Sequence, residues 1–239
     1  MRKDISAIKA EARDLLLNKY YSFTPLLLVY FLLEILAGVI PSALFSGSDL
    51  ISGISMTATS FILNVLFGLA GVGITKAALD FIRGQNFSVQ TLFYAFKNRS
   101  NRFLIIQLIF TAIKTALSAP EIILNRYAEK NVMSFLEYYA ILAAIMLGAL
   151  VITTLITLRL IWANYFLLDN YGMDAGEALK KSLALTKGRT FEVLYMKMSF
   201  IGMFILSYLS MMIGFIYVRP YSEVTYAKYY LLHSGVEHS

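Results

Sequence analysis

Five stretches of this 239-residue chain are each long and apolar enough to cross the hydrocarbon core of a bilayer, which takes about 20 residues of helix. They run from about Phe23 to Phe45, Met56 to Leu79, Phe103 to Leu124, Tyr139 to Leu168 and Val193 to Tyr217. The fourth is long enough to tilt or protrude. Composition agrees: 58% of residues are hydrophobic and 15% charged, with a mean hydropathy of +0.66, whereas a soluble domain carries about 25% charged residues. The expectation is an all-α fold: a polytopic transmembrane helix bundle of five spans, a sixth left open, with amphipathic helices on the cytoplasmic side. The length suits a single integral membrane domain over residues 1–239. The first span reads as an uncleaved signal-anchor, because its apolar run is longer than that of a cleavable leader and no A-x-A site follows it.

Basic residues orient such a chain. Arg2, Lys3, Lys9, Arg13 and Lys19 precede the first span; Arg83, Lys97, Arg99 and Arg102 lie between the second and third; Lys180, Lys181, Lys187 and Arg189 lie between the fourth and fifth. The alternate connections hold only Arg126 and Lys130. The N-terminus is therefore expected in the cytoplasm of a cell whose plasma membrane holds the protein. The net charge of +6 is read as this bias rather than as a nucleic-acid footprint.

The three basic segments share a pattern. Each opens at a residue suited to helix capping (Asp4, Ser88, Asp174) and continues with an apolar stripe. The stripes are Ile5, Ile8, Ala12, Leu15 and Leu16; Val89, Leu92, Phe93 and Phe96; and Ala175, Ala178, Leu179, Ser182 and Leu185. They suggest three copies of a surface helix followed by a hairpin, the third cut short. A complete third hairpin needs a sixth span at 213–232, but Arg219, Pro220, Glu223 and Lys228 fall there, and each charge at mid-bilayer costs about 2.5–3.5 kcal/mol. The tyrosines of that segment suit a headgroup-level amphipathic helix over 221–232, capped by Ser222.

Motifs for catalysis are lacking. There is no HExxH, no phosphate-binding glycine loop and no GxSxG, and the two histidines, His233 and His238, both sit in the last seven residues. The chain has no cysteine. No catalytic residue, metal site or cofactor is assigned, and the reading is non-enzymatic. What remains is polar residues at membrane depth. Glu34 and Lys114 each lie 11 residues into spans that run the same way, so they are expected at one height and as partners. Arg159 and Asn164 flank Trp162 near the cytoplasmic end of the fourth span; Lys76 and Asp80 are spaced to pair on one helix face; Lys197 begins the fifth span. Gly68, Gly71 and Gly73, and Ala144 with Gly148, read as close helix packing.

Ala178-Leu179-Lys180-Lys181-Ser182, Thr186-Lys187-Gly188, Ser199-Phe200-Ile201-Gly202, Arg219-Pro220-Tyr221 and Thr225-x-Ala227-x-x-Tyr230, in this order, resemble an uncharacterised family of Gram-positive integral membrane proteins, number 975 among the domains of unknown function. Leu92-Phe93-x-x-Phe96-Lys97 and Arg102-Phe103 look like the same family, while the stretch from Lys114 to Phe135 departs from it. The spacing from Ser182 to Lys187-Gly188 is similar to one in membrane domains attached to glycerophosphodiester phosphodiesterases. That resemblance implies a lipid-proximal accessory role and no catalysis. The family carries no agreed biochemical function.

The leading expectation is a protein that binds membrane lipid, or a membrane protein partner, through a basic cytoplasmic face carrying Lys180, Lys181, Lys187 and Arg189. Each base near an anionic leaflet contributes about 1 kcal/mol. The alternative is a small-solute or ion transporter or channel using Glu34, Lys114 and Arg159. A third is self-protection against a membrane-active toxin. Oligomeric state is not legible.

Overall fold

The computed structural model describes residues 2–47, 50–98, 100–130, 134–210 and 213–235. Arg99 and His238 fall outside these, as do the side chains of Arg2, Lys3, Asp4, Arg126 and Lys130. The described chain is helical throughout: α1 (Arg2–Leu16), α2 (Thr24–Leu44), α3 (Leu50–Ile82), α4 (Tyr94–Lys97), α5 (Ser100–Lys130), α6 (Phe135–Leu160), α7 (Ala163–Asp169), α8 (Ala175–Thr186), α9 (Thr190–Leu209) and α10 (Phe215–His233), with short 3-10 turns at Tyr20–Ser22 and Val89–Phe93. Five helical stretches are long and apolar enough to cross a membrane: Thr24–Leu44, Ile51–Ile82, Ser100–Glu121, Phe135–Asp169 and Thr190–Leu209. This architecture is compatible with a multi-pass membrane protein.

The repeated unit is visible in how residues are buried. Along α1 and into α2, Ile5, Ile8, Ala12, Leu16, Phe23 and Leu26 are buried. Along α8 and into α9 the same order recurs at Ala175, Ala178, Ser182, Thr186, Val193 and Met196. From Ile5 to Leu26 and from Ala175 to Met196 the succession of buried, intermediate and exposed residues is the same except at Ala10 and Lys180. The joints match too: α1 is followed by Asn18 at φ 61° and α8 by Gly188 at φ 78°, the left-handed conformation that Gly and Asn tolerate best after a helix. The middle copy keeps the pattern in its span, with Phe103, Ile106 and Gln107 standing where Phe23, Leu26 and Leu27 stand, but its surface helix shrinks to a 3-10 turn and α4.

The apolar stripes of α1 and α8 face the bundle: α1 packs on α9 and α10, and α8 on α5, α6 and α7. Of the three expected caps, Ser88 accepts from the backbone of Gln90 in a capping box with Thr91. Asp174 precedes α8 but makes no capping bond; its carboxylate lies 3.7 Å from Arg102. Asp4 lies within the first turn of α1, which already runs from Arg2.

Two expectations near the C-terminus are overturned. The fifth span does not continue to Tyr217: α9 ends at Leu209, and the chain reverses so that Phe215 begins α10. Gly214 makes the reversal possible, since a Cβ there would sit 2.6–2.9 Å from Ser207. Residues 221–232 are also not a one-sided helix capped by Ser222. They lie inside α10, where Pro220, Ser222 to Ala227, Tyr229 and Tyr230 are all buried, and the Ser222 hydroxyl donates to the Arg219 carbonyl. The reason is partnership: α10 is flanked by α1, α3 and α9, its Tyr229 and Tyr230 pack on Trp162, and its charges find partners. Arg219 meets Glu223 at 3.0 Å and Lys228 meets Glu11 of α1. α9 and α10 thus pack as a helical hairpin, although α10 is not among the five stretches long and apolar enough to cross a membrane.

The core sits at one end. Leu69 to Asp80 of α3, Leu158 to Leu167 of α6 and α7, and Pro220 to Tyr230 of α10 are the most continuously buried stretches, and the rings of Trp162, Tyr165, Phe166, Tyr229 and Tyr230 stack there. Towards the other end the helices show apolar side chains outward. Only 6% of the most apolar window in Phe135–Asp169 is buried, a surface that suits lipid and not water.

Candidate functional site

The basic connections gather at the core end. Arg83 bonds Asp169 at 2.7 Å, and Arg102 donates to the carbonyls of Tyr171 and Met173 at 2.7 and 2.8 Å. These contacts tie the 83–102 connection to the 169–175 connection, and Lys228–Glu11 ties the end of α10 to α1. Because α1 and α8 turn their apolar stripes inward, their bases point out: Arg13, Lys19, Lys180, Lys181, Lys187 and Arg189 are all exposed. Lys181 has a local partner in Glu177 at 3.4 Å.

A cavity of about 280 Å³ opens at this end between α1, α9 and α10. Lys9, Arg13 and the hydroxyls of Ser6, Ser199, Tyr195 and Tyr221 line it. Lys9 is drawn inward by the amphipathic register of α1, one turn after the buried Ile5. Its Nζ donates to Ser199 Oγ at 3.0 Å and sits 4.4 Å from the centre of the Phe200 ring. Ser199 Oγ in turn donates to the Met196 carbonyl at 2.7 Å. Partial burial lowers the pKa of Lys9; burial raises that of Tyr221, with Arg13 opposing the rise and Asp14 adding to it. Arg13 meets Asp14 only loosely, at 3.5 Å with both side chains exposed. Among the described residues the lining holds no carboxylate of its own, and Asp14 meets Arg13 from outside it.

The depth residues are dispersed. Glu34 is exposed on α2 and lines a second cavity of about 300 Å³ with Tyr30, Phe31, Phe215 and Arg219. Lys114 is exposed on α5. Among the described residues no ion pair joins Glu34 to Lys114. Arg159 is exposed at the end of α6, and its carbonyl accepts from Ser182 Oγ at 2.7 Å. Glu34, Lys114 and Arg159 lie on three different helices, α2, α5 and α6. Lys76 and Asp80 do pair, at 2.5 Å, and Gln107 reaches Asn164 at 3.4 Å.

The sequence marks Lys9 only as a topological charge, Glu223 only as a cost of insertion, and Arg219 as that cost and as part of the family resemblance. For Lys9 a signal existed: in the repeat it occupies the place that Leu179 holds in the third copy, so a cation stands on the edge of an apolar stripe.

A family profile described as a protein of unknown function, DUF975, matches residues 1–234. No curated protein and no solved structure matches the chain.

Proposed function

The chain belongs to the DUF975 family, and we propose that it is a non-catalytic, multi-pass protein of the plasma membrane that binds anionic lipid through its basic, cytoplasm-facing end. One observation carries this reading: the connections bearing most of the bases converge at one end, with the helices that hold them packed by their apolar faces and their cations left outward. Such a surface lies against the anionic leaflet under the positive-inside bias. The likeness of Ser182 and Lys187-Gly188 to membrane domains that accompany lipid-degrading enzymes suits the same role.

The test is the lipid that stays with the protein. Nanodiscs are formed from an equal mixture of anionic and zwitterionic lipid, the protein is released, and retained lipid is read by native mass spectrometry. The wild-type chain is expected to retain mostly anionic lipid. Changing Lys180, Lys181, Lys187 and Arg189 together to glutamine removes four bases of about 1 kcal/mol each before screening, and should lower the preference by roughly tenfold or more. Equal retention of both lipids by the wild type would refute the reading.

A further inference from the structure

We propose that the cavity between α1, α9 and α10 is a discrete phosphate site that takes the phosphomonoester headgroup of an anionic lipid. This deepens the reading above and rests on it, but it concerns different residues from the exposed bases of α8.

The charge is the first argument. Lys9 and Arg13 bring two positive charges to the lining; among the described residues the carboxylate that meets either is Asp14, 3.5 Å from Arg13 with both side chains exposed, where solvent screens the pair. Diester lipids carry one negative charge, whereas a phosphomonoester approaches two near neutral pH, since its second pKa is about 6. The dianion matches the lining.

The donor geometry is the second. Lys9 Nζ has three protons and gives one to Ser199, leaving two for a ligand. Arg13 keeps a guanidinium whose only described ion pair is a loose one with its neighbour Asp14, and guanidinium suits phosphate oxygens. Hydroxyls of Ser6 and Tyr221 stand in the same lining. The Phe200 ring beneath Lys9 and its bond to Ser199 hold the ammonium in place, which reduces the ordering cost of binding.

Position is the third argument, and it favours a lipid over free phosphate. Ser199 and Tyr195 belong to α9, whose outward face continues with Met198, Ile201 and Ile205, all exposed and apolar. A headgroup seated on Lys9 and Arg13 would lay its acyl chains along that face.

The experiment uses the full chain in nanodiscs of phosphatidylcholine doped with either phosphatidic acid or phosphatidylglycerol, read by native mass spectrometry. The wild type is expected to retain one phosphatidic acid per chain, roughly tenfold more readily than phosphatidylglycerol. Lys9→Gln and Arg13→Gln should each reduce that retention by a similar factor. The α8 variant (Lys180, Lys181, Lys187 and Arg189 to glutamine) should lose general anionic enrichment and keep the single phosphatidic acid, so the two proposals fail separately. Millimolar inorganic phosphate is the second arm. If it leaves the lipid in place, the ligand is a headgroup; if it displaces the lipid fully, the phosphate site stands and its source is soluble. Equal retention of phosphatidic acid and phosphatidylglycerol by the wild type overturns the proposal without any variant. Unchanged retention in a folded Lys9→Gln protein overturns it as well.

Discussion

Gly73→Ala is expected to destabilise the protein by about 3 kcal/mol or more, the upper range for overpacking a close-packed site. Gly73 lies on α3 where the 3-10 turn of the middle copy crosses it. A Cβ there would come within 2.3 Å of Leu92 Cα and 2.6 Å of the Thr91 carbonyl oxygen. Both are backbone atoms, so no rotamer change relieves the clash, and the turn itself must shift. That turn carries the fully buried Leu92 and Ala95 follows it, so the movement is felt in the core. Gly148→Ala is the matched control. Nothing lies within 4 Å of its built Cβ, and alanine is the better helix former by about 1 kcal/mol. Reversible denaturation in mixed micelles should show a large loss for the first variant and none for the second. Equal behaviour of the two would mean that the turn does not pack on α3 as described.

Glu223→Leu is expected to cost about 3 kcal/mol, because it leaves the Arg219 guanidinium without its carboxylate inside α10. The pair is 3.0 Å apart, with Glu223 10% and Arg219 34% exposed; the partial exposure of Arg219 places the cost at the low end of the range for broken buried pairs. The sharper expectation concerns the double change. Arg219→Met with Glu223→Leu removes both charges, restores an apolar helix, and should be more stable than Glu223→Leu alone. Additive losses in the double-mutant cycle would show that the two groups do not couple.

Much of the fold was legible because apolar length and basic bias are averages over many residues. All five expected spans have counterparts among the long apolar helices, and the convergence of the basic connections follows from their alternation. Boundaries and pairings were less legible. The fourth span breaks at Ile161–Trp162 because Trp162 and the residues after it enter the core. The C-terminal helix is buried on more than one side, where a one-sided helix was expected, because neighbouring helices cover it and Arg219 and Lys228 each meet a carboxylate. Glu34 and Lys114 were matched by height, and the repeat explains why height was not enough. Counted from Phe23 and Phe103 they occupy the same place in successive copies, so each borders its own hairpin. The Lys9 cavity was hidden for another reason: it joins residues 190 positions apart, which no local pattern reveals.

In the orientation proposed above, the basic joints face the cytoplasm, and α10 returns the chain to that side. Accessibility of single cysteines tests this directly, since the chain has none of its own. Asn86, Lys181 and Leu232 are exposed at the basic end, and Ser46 is exposed after α2; Lys181 is preferable to Ser182, which is fully buried and would stay silent on either side. In intact cells a membrane-impermeant maleimide should label Ser46→Cys and leave Asn86→Cys, Lys181→Cys and Leu232→Cys unlabelled until the membrane is opened. Labelling of Asn86→Cys or Lys181→Cys from outside would contradict the orientation, and labelling of Leu232→Cys alone would contradict the return of α10.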